Sequence, residues 1–303
     1  DNGFDTCFST EAKVPTWDPM INPNNGKPYG THYWSGPKEM VTENLEGDDS
    51  RVIMDRALPF ITQAADSNTP FLAVIWFHTP HKPVVAGKDY TALYGDHPGA
   101  KYLGTLSAMD DQIGRLRQHL AHHKLTDQTM LWFCSDNGPE ENKDTLSNGT
   151  AAHLRGRKRD LYEGGIRVPG LLIWPNKIKN SRTVDIPCCT SDYLPTVADI
   201  LNLTLPDKPY DGISLYPLIQ GTMTERPAPI GFESKNQLAL IDNRYKLYSK
   251  DNGKTFALYD LINDPSETTD LAKVAPVLLK TMTETFFSWQ TSCTDSRKRL
   301  LAP

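Results

Sequence analysis

The apolar positions of this chain fall into two kinds of pattern. Short, nearly continuous runs at 71–77 ("FLAVIWF"), 129–134 ("TMLWFC") and 170–174 ("GLLIW") are bounded by turn residues. Such runs suit strands buried on both faces of a parallel sheet. Between them the spacing becomes helical. Leu106, Met109, Ile113, Leu116 and Leu120 recur three or four apart, which gives one apolar stripe on a helix of about five turns. Met54 to Ala64 follows the same rule more weakly. "TSDYLPTVADILNL" predicts another helix, with Ser191 or Asp192 near its cap and Pro195 in its first turn. Strand and helix alternate, so the expected fold class is α/β, a mostly parallel sheet flanked by helices.

The pattern weakens from Leu205 to Pro229, where five prolines fall in "LPDKPYDGISLYPLIQGTMTERPAP", and a linker or surface crossing is expected over 205–230. Beyond it, "LALI", "YKLYS" and "FALYDL" are separated by Asp242-Asn243-Arg244 and by "KDNGK". Asn252-Gly253 is a strong hairpin signal, so three antiparallel strands are predicted. Leu278, Met282, Phe286 and Trp289 then form a stripe at i, i+4, i+8 and i+11 after Pro276, a helix that should cover those strands. The expected organisation is an α/β domain over 1–204, the crossing at 205–230, and a small C-terminal antiparallel sheet plus helix over 231–303.

Composition narrows the function classes. The chain has 303 residues, 38% hydrophobic, enough to bury a sizeable core. No apolar stretch approaches the roughly 20 residues of a spanning helix, so no membrane partner is expected. Charge is mixed, 32 basic against 37 acidic residues for a net −5. Without a dominant basic block, nucleic acid is not an expected partner either. Any anionic substrate must be held by a local site. The cysteines Cys7, Cys134, Cys188, Cys189 and Cys293 show no CxxC spacing, which disfavours a zinc ribbon or a thioredoxin-like site. Asn148-Gly149-Thr150 and Asn202-Leu203-Thr204 fit the glycosylation acceptor pattern, one that often arises by chance.

Three polar clusters sit where the predicted strands end, the place where ligands collect in open parallel sheets. "FHTPHKP" carries His78 and His81, with Pro80 and Pro83 expected to hold the loop extended. "SDNG" offers Asp136 and Asn137, adjacent oxygen ligands of the kind a hard divalent cation prefers, and Gly138 permits a sharp turn. "LRGRKRDLYEGGIRVP" sets Lys158 among arginines ahead of Gly164-Gly165. His81 can hydrogen-bond or protonate an ester oxygen, and Lys158 can neutralise an anionic group. Taken singly, each cluster also has a plain reading: a turn for "DNG", an exposed basic loop for Lys158, a solvated helix end for His122-His123. Taken together they describe an anionic-ester hydrolase.

The order and spacing of the three clusters resemble the sulfatase family of the alkaline-phosphatase-like fold. "PFLAVIWFHTPHKP" looks like its "PFF…H.PH.P" strand and loop, "YLGTLSAMDDQIGRL" like its "Y…mD..iG.ll" helix, and "LWFCSDNG" like its metal-binding "SDNG". "LRGRKRDLYEGGIRVPGLLIWP" is similar to "lRG.K…yEGG.RvP…wP" nearly position for position. "DGISLYPLIQG" and "LYDLINDPSETTDLA" match two later landmarks. The resemblance implies a sulfuric ester hydrolase in which Asp136 and Asn137 ligate calcium. It makes His81 and Lys158 the catalytic residues, contacting the sulfate and assisting departure of the ester oxygen, with His78 beside them shaping the pocket. A sulfated small molecule or glycan is the implied substrate, and the periplasm or exterior the implied location.

The family's nucleophile is a formylglycine made in a C-x-P-x-R segment, and no such segment occurs in this chain. "DNGFD" resembles the residues just after a "GKWHLG"-like stretch in the family. About the first third of a sulfatase is therefore expected to lie outside these residues, where a separate chain could supply it as a partner. "CTDSR", Cys293 to Arg297, differs from C-T-P-S-R only at Asp295. It lacks the strand and long helix that such a motif needs around it, and is expected to be a terminal tail. Two other readings accompany the resemblance: a sulfatase-like binding or structural module without turnover, and a phosphoester or phosphonate hydrolase of the same superfamily.

Overall fold

A computed structural model describes residues 3–140 and 149–301. The chain divides into two compact units, one of residues 1–129 with 143–149, the other of 130–142 with 150–303.

In the first unit, β1 (Phe8–Thr10), β2 (Tyr33–Ser35) and β3 (Glu39–Val41) form an antiparallel sheet. Helix α1 (Asp49–Asp66) starts at Asp48, whose carboxylate accepts from the N–H groups of Ser50 and Arg51. The cap therefore satisfies two of the four N–H groups that a helix start leaves without partners. Val14, Tyr33, Leu45 and Val52 pack as the core beside this helix. After α2 (Lys88–Ala92) comes α3 (Ala100–His122), the helix expected from its apolar spacing. Its buried line runs through Ala108, Gln112, Leu116 and Leu120, while Leu106, Met109 and Ile113 are only partly buried within the chain. Asp55 of α1 takes Arg115 of α3 at 2.8 Å and Arg51 at 2.5 Å, joining the two helices.

The run 71–77 departs from expectation. It is extended but belongs to no ladder, and Leu72, Val74 and Trp76 are 65%, 49% and 84% exposed. A strand exists only when a neighbour takes up its N–H and C=O groups. Among the described residues no segment does so for this run.

In the second unit, β4 (Leu131–Cys134) pairs with β5 (Gly170–Ile173), with Cys134 opposite Gly170. The pairing is antiparallel where parallel neighbours were expected, and no parallel ladder forms among the described residues. The short α4 (Glu163–Ile166) precedes β5, and α5 (Tyr193–Ile200) and α6 (Tyr216–Gln220) come after it. Strands β6 (Ile230–Ser234), β7 (Gln237–Asp242), β8 (Tyr245–Ser249) and β9 (Ala257–Asp260) make an antiparallel meander, one strand more than expected. Asn252 and Gly253 do take positive φ, 59° and 82°. They sit in a longer β8–β9 loop, not a two-residue hairpin. Helix α7 (Pro276–Leu301) lays Met282 and Phe286 on Leu238, Leu240, Leu247 and Leu258, with Leu278 and Trp289 against the same cluster. This is the stripe and cover that the sequence predicts.

Candidate active site

In the second unit, the Asp136–Asn137 turn leaves β4 and is fixed by backbone bonds on both sides. Ser135 N–H donates to Pro169 O at 3.3 Å and Gly138 N–H to Gly165 O at 2.9 Å. Ser135 Oγ closes the turn on Asn137 O at 3.1 Å. The Asn137 amide donates through Nδ2 to Gly138 O at 2.9 Å, so Oδ1 is its atom suited to a cation. Asp136 is exposed beside it.

Gly138 serves a different purpose from the one expected. Its φ is not in the left-handed region. A Cβ there would lie 1.9 Å from Gly164 O, and one on Gly165 would lie 2.1 Å from Asp160 O. The "NG" and "EGG" glycines let two backbones touch. Gly138→Ala is accordingly expected to cost about 2 kcal/mol by overpacking. Gly114→Ala, in α3 where an added Cβ meets nothing within 4 Å, should gain about 0.5–1 kcal/mol. Urea denaturation of the two variants measures both, and an unshifted Gly138→Ala midpoint would refute the close-approach account.

Lys158 lies in the loop between these glycines and is tied to the same turn, its N–H donating to Pro139 O at 2.8 Å. Its ammonium stands 3.9 Å from Glu140 Oε2, too far for a hydrogen bond. Arg159 holds that carboxylate instead, at 2.7 and 3.2 Å, and Arg157 reaches Glu140 O at 3.3 Å. Asp136, Asn137 and Lys158 therefore belong to one hydrogen-bonded pair of loops, with Glu140 organising the arginines. The sequence pointed to the first three and missed Glu140, although its place directly after "SDNGP" was the available signal.

His78 and His81 belong to the first unit. His78 is engaged through both ring nitrogens: Nδ1 lies 2.9 Å from Asp49 Oδ2 and Nε2 lies 3.0 Å from Thr10 Oγ1. Asp49 is fully buried and also accepts from the Tyr33 hydroxyl. Burial, followed by the charge of Asp49, holds the Tyr33 phenol well above its usual range. The next residue, Ser50, donates to Thr79 Oγ1 at 3.2 Å, so the first turn of α1 carries the start of the histidine loop. Sequence reading passes over Asp49, since a buried acid and a solvated one look alike until the partner is found. The loop is a turn, not the extended piece expected, since His81 N–H donates to His78 O at 2.7 Å. His81 is exposed, and its Nδ1 meets Lys82 O at 2.8 Å. A carbonyl only accepts, so Nδ1 carries the hydrogen and Nε2 is the nitrogen left for a substrate.

The "CTDSR" segment lies within α7, and burial pushes the Cys293 thiol up from its ordinary value. An activated nucleophilic cysteine is shifted the other way. All five cysteines are free thiols. Asn148 of the first glycosylation triplet lies outside the described residues.

Residues 1–203 match the sulfatase family model. The chain belongs to the sulfatase family. Residues 153–285 also match the model for the C-terminal part of N-sulphoglucosamine sulphohydrolase. The chain is 27% identical over 318 residues to a sulfatase of Formosa agariphila, an alignment covering 89% of this chain and 56% of that protein. Human arylsulfatase A is 27% identical over 254 residues, covering 75% and 49%, and human steryl-sulfatase 32% over 161 residues, covering 52% and 27%. The chain thus spans about half the length of these curated relatives, or less. Among solved structures, Ps i-CgsB superposes with a TM-score of 0.82 at 24% identity, over 96% of this chain and 67% of that one. PsFucS1 sulfatase from Pseudoalteromonas sp. gives 0.74 at 22%, over 88% and 58%. These likenesses establish the α/β, alkaline-phosphatase-like fold, with its C-terminal antiparallel sheet and final helix.

A metal cofactor is a general expectation for the family. The oxygen donors of Asp136 and Asn137 fit a hard cation, which prefers carboxylate and amide oxygens. Among the described residues no group of three or more His, Cys, Asp or Glu could hold an ion unaided.

Proposed function

We propose that the chain takes part in hydrolysing sulfate esters, with carbohydrate sulfates as the substrate class. In this reading Asp136 and Asn137 Oδ1 ligate calcium, which would stabilise charge on the sulfuryl oxygens. Lys158 neutralises the anion as the ester oxygen departs. His81, as an imidazolium with both ring nitrogens protonated, donates through Nε2 to that oxygen, and His78 shapes the surface around the substrate. What supports the reading is the bonded pair of loops, Gly138 N–H to Gly165 O and Lys158 N–H to Pro139 O, which keeps together the Asp136–Asn137 oxygens and an ammonium paired only at 3.9 Å among the described residues.

The substrate class draws on two neighbours: Ps i-CgsB, also solved with k-i-k-neocarrahexaose, and a protein solved with its substrate D-glucosamine-2-N,6-O-disulfate. A periplasmic or extracellular address rests on family likeness. None of the described helices is long and apolar enough to cross a membrane.

The attacking atom must come from a C-x-P-x-R segment supplied beyond these residues, since acid assistance and charge neutralisation do not replace a nucleophile. The chain by itself should not turn over an aryl sulfate, whereas a polypeptide joining it to such a segment, matured to formylglycine, should. Calorimetric titration of the chain alone should show only weak calcium binding, because calcium takes about 6–8 oxygens. High calcium affinity, or aryl sulfate hydrolysis that Cys293→Ala abolishes, would overturn this division of the site.

A further inference from the structure

Lys246, the second residue of β8, has no exposed surface and lies between two acidic side chains that are also buried. Its ammonium is 3.1 Å from Glu163 Oε1 and 2.9 Å from Glu267 Oε1. The second oxygen of Glu163 faces the guanidinium of Arg167, half-exposed at 3.8 Å, so two cations and two carboxylates balance along one line. Burying three charged groups costs solvation that an apolar trio of similar volume would not. Hydrophobic packing therefore does not explain them, and the hydrogen bonds that Lys246 and Glu163 donate do, the Lys246–Glu267 contact being an ion pair without hydrogen-bond geometry.

Those bonds run to the loop that carries Lys158. Glu267 Oε2 accepts from Glu163 N–H at 2.6 Å, and Glu267 O accepts from Arg155 NH1 at 2.9 Å. One residue of the "DPSE" turn thus grips both stems of the loop 156–162. Arg155 stacks on Tyr162 at 4.0 Å, and Gly164 N–H donates to Arg155 O at 2.6 Å, which closes the stems on each other. Gln237 of β7 holds the loop's middle, donating to Arg159 O at 2.8 Å and accepting from Leu161 N–H at 3.0 Å. The loop in turn holds the Asp136–Asn137 turn through Lys158 N–H to Pro139 O, and Gly165 O, just past its second stem, accepts from Gly138 N–H.

We propose that Lys246, Glu163 and Glu267 are positioning residues that transmit the rigidity of the C-terminal sheet, through the stems of the loop, to Lys158 and the Asp136–Asn137 turn. The functional importance of that loop rests on the sulfatase reading; the mechanical connection does not. The trio touches no substrate. It fixes where the ammonium and the cation ligands stand relative to each other.

Residue-resolved amide exchange on the whole chain tests this. Glu267→Ala should accelerate exchange at Gly138, Lys158 and Glu163 by about tenfold or more, since it removes a buried, charge-assisted bond. The amides of Leu240 and Leu247 should change by less than about threefold over the same interval, because the β7–β8 ladder keeps its own bonds. Glu267→Gln keeps an acceptor for Glu163 N–H and should restore most of the protection. If Glu267→Ala fails to fold, Arg155→Ala, which alters an exposed residue, should loosen the same three amides selectively. Uniform acceleration across loop and ladder would show a merely structural role and overturn the proposal, as would unchanged exchange at Gly138 and Lys158 in both variants, or Glu267→Gln behaving like Glu267→Ala. Titration with inorganic sulfate, read at the Lys158 amide, separates the two claims: no response there counts against the sulfatase reading alone, and the exchange pattern decides the positioning role by itself.

Discussion

Lys158→Ala, placed in a polypeptide that joins this chain to a matured nucleophile segment, is expected to lower kcat/KM for an aryl sulfate by about 10²- to 10³-fold, the range for removing one preorganised charge-stabilising group. The geometry accounts for the size. Glu140 faces Lys158, but its carboxylate is occupied by Arg159 at 2.7 and 3.2 Å while the ammonium stands off at 3.9 Å. Among the described residues the ammonium makes no hydrogen bond that turning to a substrate would break. Lys158→Arg should recover only part of the loss, because a planar fork does not replace a point charge on a flexible stem. Cys293→Ala should leave the rate within about twofold, its thiol being on a helix and pushed away from the thiolate form. Steady-state kinetics on the three variants decide it: a Lys158→Ala rate within about threefold of the parent, far short of the loss of one such group, would remove Lys158 from the mechanism.

What the sequence showed of this fold depended on how many segments a feature needs. The α7 stripe of Leu278, Met282, Phe286 and Trp289 is a property of one helix, and the structure packs it as the spacing predicts. The run 71–77 has equally strong apolar character, yet strand formation also needs a neighbour, and its composition says nothing about which segment that is. Antiparallel pairing of β4 with β5 was hidden for the same reason.

Motifs behaved similarly. "SDNG" and "RGRK" were legible because polar residues interrupt apolar runs at strand ends. Gly138 was legible as a special position, but its reason, contact with Gly164 O, required two loops to be seen together. Asp49, Arg226 and Lys246 gave no warning, since a buried charge and a solvated one look alike until the partner is found.

Arg226 illustrates this most fully, because it lies in the stretch read as a surface crossing and is only 3% exposed. Its guanidinium grips Asp192 with two bonds of 2.8 Å, and neither side chain is exposed. Asp192 is the N-cap residue of α5, as expected, but makes no side-chain bond to that helix: its carboxylate serves Arg226 and the N–H groups of Cys189 and Ile213 at 2.8 and 2.9 Å. Asn243 in the β7–β8 turn completes the fixation, accepting from Arg226 N–H at 2.8 Å and donating to Arg226 O at 3.0 Å. Arg226→Ala strands the carboxylate in the interior and should cost about 3–5 kcal/mol. Arg226→Met with Asp192→Leu removes both charges and should cost less than the single change, although the donors to Asp192 from Cys189 and Ile213 lose their acceptor. The pH dependence has a definite sign. Burial raises the Asp192 carboxyl, but the bonds from Arg226, Cys189 and Ile213 outweigh it and hold it below the ordinary 3.8. Stabilisation by the pair is thus fully present above the unfolded value and is lost as pH falls through the lower folded one. Urea denaturation should therefore show a parent-to-Arg226→Ala gap that is constant near neutrality and narrows as pH falls, beginning where the carboxylate left without Arg226 takes up a proton, above the point at which the parent does. A gap under about 1 kcal/mol at neutral pH, the size of a surface pair, would mean that the crossing is not anchored here.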